Sequence, residues 1–122
     1  MDDHFQQSLR LWPLLVLAAR NRQTLTFGMV EKMTGIGDHF DQSKPLENIY
    51  YYCKYKNLPH LNFLVVHEHT GKPGAEWYEG LDIPQQHADI FDLEWDKWKD
   101  NVPSYEALQE ARLRGDAEND AA

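Results

Sequence analysis

Leu61-Asn62-Phe63-Leu64-Val65-Val66, followed by Thr70-Gly71-Lys72-Pro73-Gly74 and then Ala75-Glu76-Trp77-Tyr78, is the stretch on which the fold reading turns. The first six residues are apolar on both faces except at Asn62, the pattern of a central strand covered on both sides. The glycines and proline that follow predict a turn. Ala75 to Tyr78 can then return as a second strand, so the segment reads as a β-hairpin over 61–78.

Three helices are predicted ahead of it. Leu9, Trp12, Val16 and Ala19 fall at helical spacing and Leu15 widens that stripe, giving a helix to Arg22. Pro13 fits if the helix proper begins near Trp12, because a missing N–H costs nothing in the first turn. Thr26 is placed to cap a helix from Phe27 to Thr34, which Gly35 stops. Gly37 to Ser43 reads as a loop. Ser43 then caps a third helix with Pro45 near its start, and Leu46, Ile49, Tyr50 and Cys53 form its apolar stripe. Asn57-Leu58-Pro59 ends it.

Downstream, Asp82-Ile83-Pro84 predicts a short helical turn. Phe91, Leu93 and Trp95 alternate with Asp92, Glu94 and Asp96, which favours a strand with one buried face. Ser104 caps a helix from Tyr105 to Arg114 with Gly115 beyond its end. Asp116 to Ala122 reads as a frayed, disordered acidic tail. The expected fold is therefore α+β and winged-helix-like, three helices plus a β-hairpin, with an added C-terminal strand and helix. Residues 1–115 make a single domain and 116–122 the tail.

The chain has 122 residues and no internal repeat, one domain's worth. No apolar run approaches a membrane span, the N-terminus is acidic where a secretory signal would be basic, and the one cysteine excludes an internal disulfide framework. Cytoplasm is the default compartment. The net charge of −8 is uneven: residues 1–75 carry +1 and residues 76–122 carry −9. The first part can approach a polyanion, whereas the second would resist one and suits a basic protein partner.

Leu11-Trp12-Pro13-Leu14-Leu15, Thr24-Leu25-Thr26-Phe27-Gly28, Tyr52-Cys53, Asn57-Leu58-Pro59, and Leu64-Val65-Val66 with Thr70-Gly71-Lys72-Pro73-Gly74 together resemble a family of small, uncharacterised bacterial and phage proteins. Its hallmarks are a "TITYGELA"-like segment, a helix ending in "YC" and an "LPPLTxLVVNxxTGxPG" hairpin. The same pattern resembles the winged-helix DNA-binding domain of DNA alkyltransferases and alkyltransferase-like proteins, with its "VTTYGxVA" helix and "PCHRVV" motif. If Val65-Val66 match the closing "VV", Asn62 stands where the alkyl-accepting cysteine sits and Phe63-Leu64 stand where "HR" sits. The base-wedging arginine falls near Asn48. The resemblance implies a shared fold with suicide alkyl transfer lost.

Several side chains carry chemistry. Cys53 lies on an apolar stripe and reads as core rather than as a nucleophile. On a strand, His67 and His69 would share a face and could hold a metal with His60 as third ligand, but the turn at Thr70 makes a solvated hairpin tip the better reading. No phosphate-binding glycine loop or nucleophile elbow is present. Trp77, Trp95 and Trp98 read as core or half-buried caps, with a protein interface as the alternative.

A non-enzymatic binding module without a cofactor is the expectation, with a metal-dependent enzyme as the minor alternative. The third helix, 44–56, and the hairpin, 61–78, would contact DNA or RNA through Lys44, Asn48, Tyr51, Lys54, Tyr55 and Lys72, whose lysines neutralise phosphates while the tyrosines stack bases. The alternative is an inhibitor, immunity or accessory protein that docks on a basic partner through Asp89, Asp92, Glu94, Asp96 and Asp100.

Overall fold

The computed structural model describes residues 3–74 and 80–121. In chain order the elements are α1 (His4–Arg20), β1 (Leu25–Thr26), α2 (Phe27–Thr34), α3 (His39–Tyr55), a 3₁₀ turn (Leu61–Leu64), β2 (Val65–Val66), α4 (Ile83–Asp92), α5 (Trp95–Asp100) and α6 (Tyr105–Ala121). The described residues are mostly helical, and this overturns the α+β winged-helix reading. Their one sheet is a two-stranded parallel pair, Leu25 opposite Val65 and Thr26 opposite Val66.

The hairpin expectation failed on a named ambiguity. A short run that is apolar on every side cannot be told from a buried helical turn by periodicity. Leu61 to Leu64 take the helical option, wholly buried against α1, α3 and α4. Only Val65-Val66 extend. Beyond them His67 N–H donates to the Lys72 carbonyl at 2.8 Å, and Val66 bridges antiparallel to Pro73. The turn at 70–74 is therefore real; the expected return strand at Ala75 to Tyr78, with Trp77, lies outside the described residues.

Two helices begin earlier than proline placement suggested. Asp3 and Gln6 form a reciprocal capping box, so α1 starts at His4 and Pro13 sits in its interior. Asp38 accepts from the N–H groups of Phe40 and Asp41, so α3 starts at His39; the expected loop to Ser43 is its first turn, and Pro45 is likewise interior. An interior proline forfeits a backbone bond. Here the buried stripes of both helices, Leu11, Trp12 and Leu15 on α1 and Leu46, Ile49 and Cys53 on α3, outweigh that loss.

The expected strand at Phe91 to Trp95 is instead the end of α4, a turn and the start of α5. Asp82 caps α4 through the Gln85 N–H at 3.1 Å, as the Asp-Ile-Pro signal predicted, but the helix runs on to Asp92. Thr26 capping α2 and Gly35 closing it at a left-handed φ of 75° match the sequence reading. Ser104 caps α6 as expected, its Oγ accepting from Ala107 N–H.

Residues 116–121 of the expected tail are helix. α6 passes through Gly115 and continues to Ala121, packed along α3. Gly115 marks a close approach rather than a stop: a Cβ there would lie 2.4 Å from the Tyr51 ring. At the centre, Trp12 meets Tyr52 edge-on at 5.5 Å and Trp98 at 5.9 Å, joining α1, α3 and α5. No helix among the described residues is long and apolar enough to cross a membrane.

Candidate functional site

The face of α3 expected to meet nucleic acid is largely occupied by α6. Asn48 is buried, receives Arg112 Nη1–H on its Oδ1 at 3.1 Å, and donates through Nδ2 to Ser8 Oγ on α1 at 3.3 Å. Arg112 also pairs with Glu47 at 2.7 Å and Asp116 at 3.1 Å. Tyr51 is buried and its hydroxyl accepts from Asn119 at 2.7 Å. Lys54 and Tyr55 both reach Glu118, at 3.4 and 2.7 Å, and Arg114 lies 4.1 Å over the Tyr55 ring. Burial and the Glu118 hydrogen bond push the Tyr55 phenol up to about 12. Of the six expected contact residues, Lys44 and Lys72 are exposed without either of these engagements.

Asp89, Asp92, Glu94, Asp96 and Asp100 are all exposed, on α4, α5 and the turn between them. They are not a pure acidic field. Arg22 pairs with Asp92 at 3.0 Å, Asp89 accepts from Gln85, and Lys97 and Lys99 are interleaved among them.

The histidines separate into different clusters. His60 stacks on Tyr50 at 4.5 Å, and burial lowers its pKa below 6.5. His67 packs on Phe27 at 4.8 Å and on His39 at 5.3 Å, while His69 is exposed. Among the described residues no three His, Cys, Asp or Glu side chains are grouped to hold a metal. Cys53 is fully buried, and burial pushes its thiol up to about 12, which removes it as a nucleophile.

A different site emerges where β2 meets the first turns of α2 and α3. A pocket of about 180 Å³ is walled by Phe27, Leu46, Val65 and Pro73, with His39, Phe40 and Ser43 on the α3 side. Gly74 completes it; a Cβ at that position would sit 2.8 Å from the tip of the Phe27 ring, so a side chain there would displace that ring. Phe40 is 75% exposed, the most exposed large apolar side chain described, and its ring lies 4.0 Å from that of His39.

Asn62 belongs to this wall. It is 2% exposed, and neither its Oδ1 nor its Nδ2 has a hydrogen-bond partner among the described residues. Leaving a buried amide unpaired costs about 1–3 kcal/mol.

The sequence reading did not assemble this site. The sequence places these residues in two helices (Phe27, Leu46), a loop (His39, Phe40), a helix cap (Ser43) and a hairpin (Asn62, Val65, Pro73, Gly74). One signal was available: Asn62 is the lone polar residue in an otherwise buried run. Comparison of the chain with protein families, curated proteins and solved structures found no match, so the alkyltransferase-like resemblance rests on its motifs alone.

Proposed function

We propose that this protein is a non-enzymatic binding module whose recognition site is the pocket between α2, α3 and β2. The observation that carries this reading is the pocket itself, lined by the rings of Phe27, His39 and Phe40, with Phe40 75% exposed. A ligand seated there that covers Phe40 would offset a cost that the free protein bears, an exposed aromatic ring. Nucleic-acid contact through α3 is the weaker reading, because α6 already engages Asn48, Tyr51, Lys54 and Tyr55. Docking through the α4–α5 acids is supported only by their exposure.

The test is a ¹⁵N-correlation titration of the full chain with a panel of small planar aromatic compounds. Shifts concentrated at Phe27, His39, Phe40 and Asn62, and lost in Gly74→Val, support the pocket. If no compound shifts these residues, or the shifts persist unchanged in Gly74→Val, the pocket is not the site. In parallel, fluorescence anisotropy with short DNA should show no binding that Lys54→Glu removes; salt-sensitive binding lost in that variant would return the assignment to α3.

A further inference from the structure

Away from that pocket, we infer that the C-terminal ends of α3 and α6 form a closed phosphate site, filled in the free chain by the Glu118 carboxylate. Its ligand is a phosphate group carried beside a flat ring, as in a nucleotide. Three features carry this.

The first is the set of donors on one carboxylate. Glu118 accepts the Tyr55 O–H at 2.7 Å and a Lys54 N–H at 3.4 Å, and Arg114 Nε lies 3.6 Å from its other oxygen. These surroundings hold the Glu118 carboxyl below its usual range, the Tyr55 hydrogen bond contributing most. The place therefore favours an oxyanion. A phosphate brings more charge and more acceptor oxygens than a carboxylate, so the same donors suit it at least as well.

The second is how lightly the occupant is held. Residues 116–120 are all exposed. They are tied to α3 by polar contacts, Glu118 on Lys54 and Tyr55 and Asn119 on the Tyr51 hydroxyl. Exposed ion pairs of this kind contribute little to stability. Glu118 can leave its donors while the buried Leu108 and Ala111 keep the rest of α6 seated on the core.

The third is the space beside the carboxylate. Tyr55 and Arg114 also line a groove of about 240 Å³ between the two helices, together with Tyr52, Lys56 and Glu110. Rings and cations in one groove suit a base and its phosphate. The Arg114 guanidinium already lies 4.1 Å over the Tyr55 ring. Lys56 lies 5.9 Å from the Tyr52 ring and makes no ion pair among the described residues. Glu110 is an acceptor, which suits a ring that carries an amino donor.

The experiment is a ¹⁵N titration of the full chain with AMP, adenosine and inorganic phosphate. In wild type AMP should bind weakly, because closure lowers the apparent affinity by the fraction of chains that are open. Glu118→Gln should bind AMP about fivefold or more tightly as that fraction rises, with shifts at Lys54, Tyr55, Lys56 and Arg114. Adding Lys54→Gln should remove the gain. Asp120→Asn deletes one charge from the same turn, leaves the Glu118 contacts in place, and should bind AMP as wild type does. An equal gain in Asp120→Asn would make the effect one of net charge and overturn the site, as would no gain in Glu118→Gln. If adenosine or inorganic phosphate binds Glu118→Gln as tightly as AMP does, the pairing of phosphate with ring fails. A short oligo(dA) separates the two sources of such a group. Tighter binding than AMP assigns single-stranded nucleic acid; equal or weaker binding assigns a free nucleotide.

Discussion

The Tyr55 hydroxyl on α3 donates a 2.7 Å hydrogen bond to the Glu118 carboxylate on α6, and Lys54 reaches the same oxygen at 3.4 Å. This pair ties the last turns of the chain to the helix that sequence alone offered to a nucleic acid. It explains how a segment of small, charged residues, Asp116 to Asp120, is held as helix: its order comes from side chains on α3 rather than from its own composition.

Acid should loosen this clasp. The hydrogen bond from Tyr55, then the one from Lys54, hold the Glu118 carboxyl below its usual 4.5. A carboxyl depressed in the folded state stabilises above its unfolded value, and that stabilisation is lost as pH falls through the lower folded value. Amide exchange in 116–121 should therefore accelerate below about pH 4.5 before the core opens. Glu118→Gln should show that faster exchange already at neutral pH and lose most of the acid response. Unchanged protection in Glu118→Gln would mean that the pair does not hold the helix end.

Gly115→Ala should destabilise, against the usual direction for an interior helical glycine. Helix propensity alone predicts a gain of about 0.5–1 kcal/mol. Against that, the new methyl would lie 2.4 Å from two atoms of the Tyr51 ring, which is buried and held by Asn119. Overpacking of this kind costs about 1–3 kcal/mol, so a net loss is expected in urea unfolding. Gly115→Ala in a Tyr51→Leu background should recover part of that loss.

Gly115 also shows where the sequence was legible and where it was not. Local signals with a single physical meaning were read correctly: the Thr26 cap, the Gly35 stop, the Asp82 and Ser104 caps. Glycine after the expected end of a helix has two meanings, a left-handed terminus or room for a neighbouring ring, and only the position of Tyr51 decides between them. The same holds for Leu61 to Leu64, where burial on every side erases the difference between strand and 3₁₀ turn. Pro13 and Pro45 were read as helix starts because proline is costless there, while the caps at Asp3 and Asp38 lay further upstream. The pocket was illegible for a related reason. Phe27, Asn62 and Pro73 are brought together by the parallel pairing of β1 with β2, a long-range contact that no local pattern encodes.

Cys53 should be silent to thiol reagents in the native state. It is fully buried and its thiol is pushed up to about 12, so almost no thiolate exists near neutral pH. Labelling should proceed only as fast as the protein opens and should rise with urea in step with unfolding. Cys53→Ala should cost about 1–3 kcal/mol by leaving a small cavity between α3 and the core. Rapid labelling of folded protein would contradict the core assignment.

The sharpest stability prediction concerns Asn62 in the absence of any ligand. A buried polar side chain that serves the fold is hydrogen-bonded, and replacing it with an apolar residue of similar shape then destabilises. Asn62 has no such partner among the described residues. Asn62→Leu should therefore relieve a desolvation cost of about 1–3 kcal/mol. For a domain of this size each kcal/mol corresponds to roughly 3–6 °C in Tm, so the variant should melt several degrees higher than wild type. Asn62→Asp should melt lower, because a carboxylate at the same place is costlier to bury than an amide. If Asn62→Leu melts lower, the amide serves the fold.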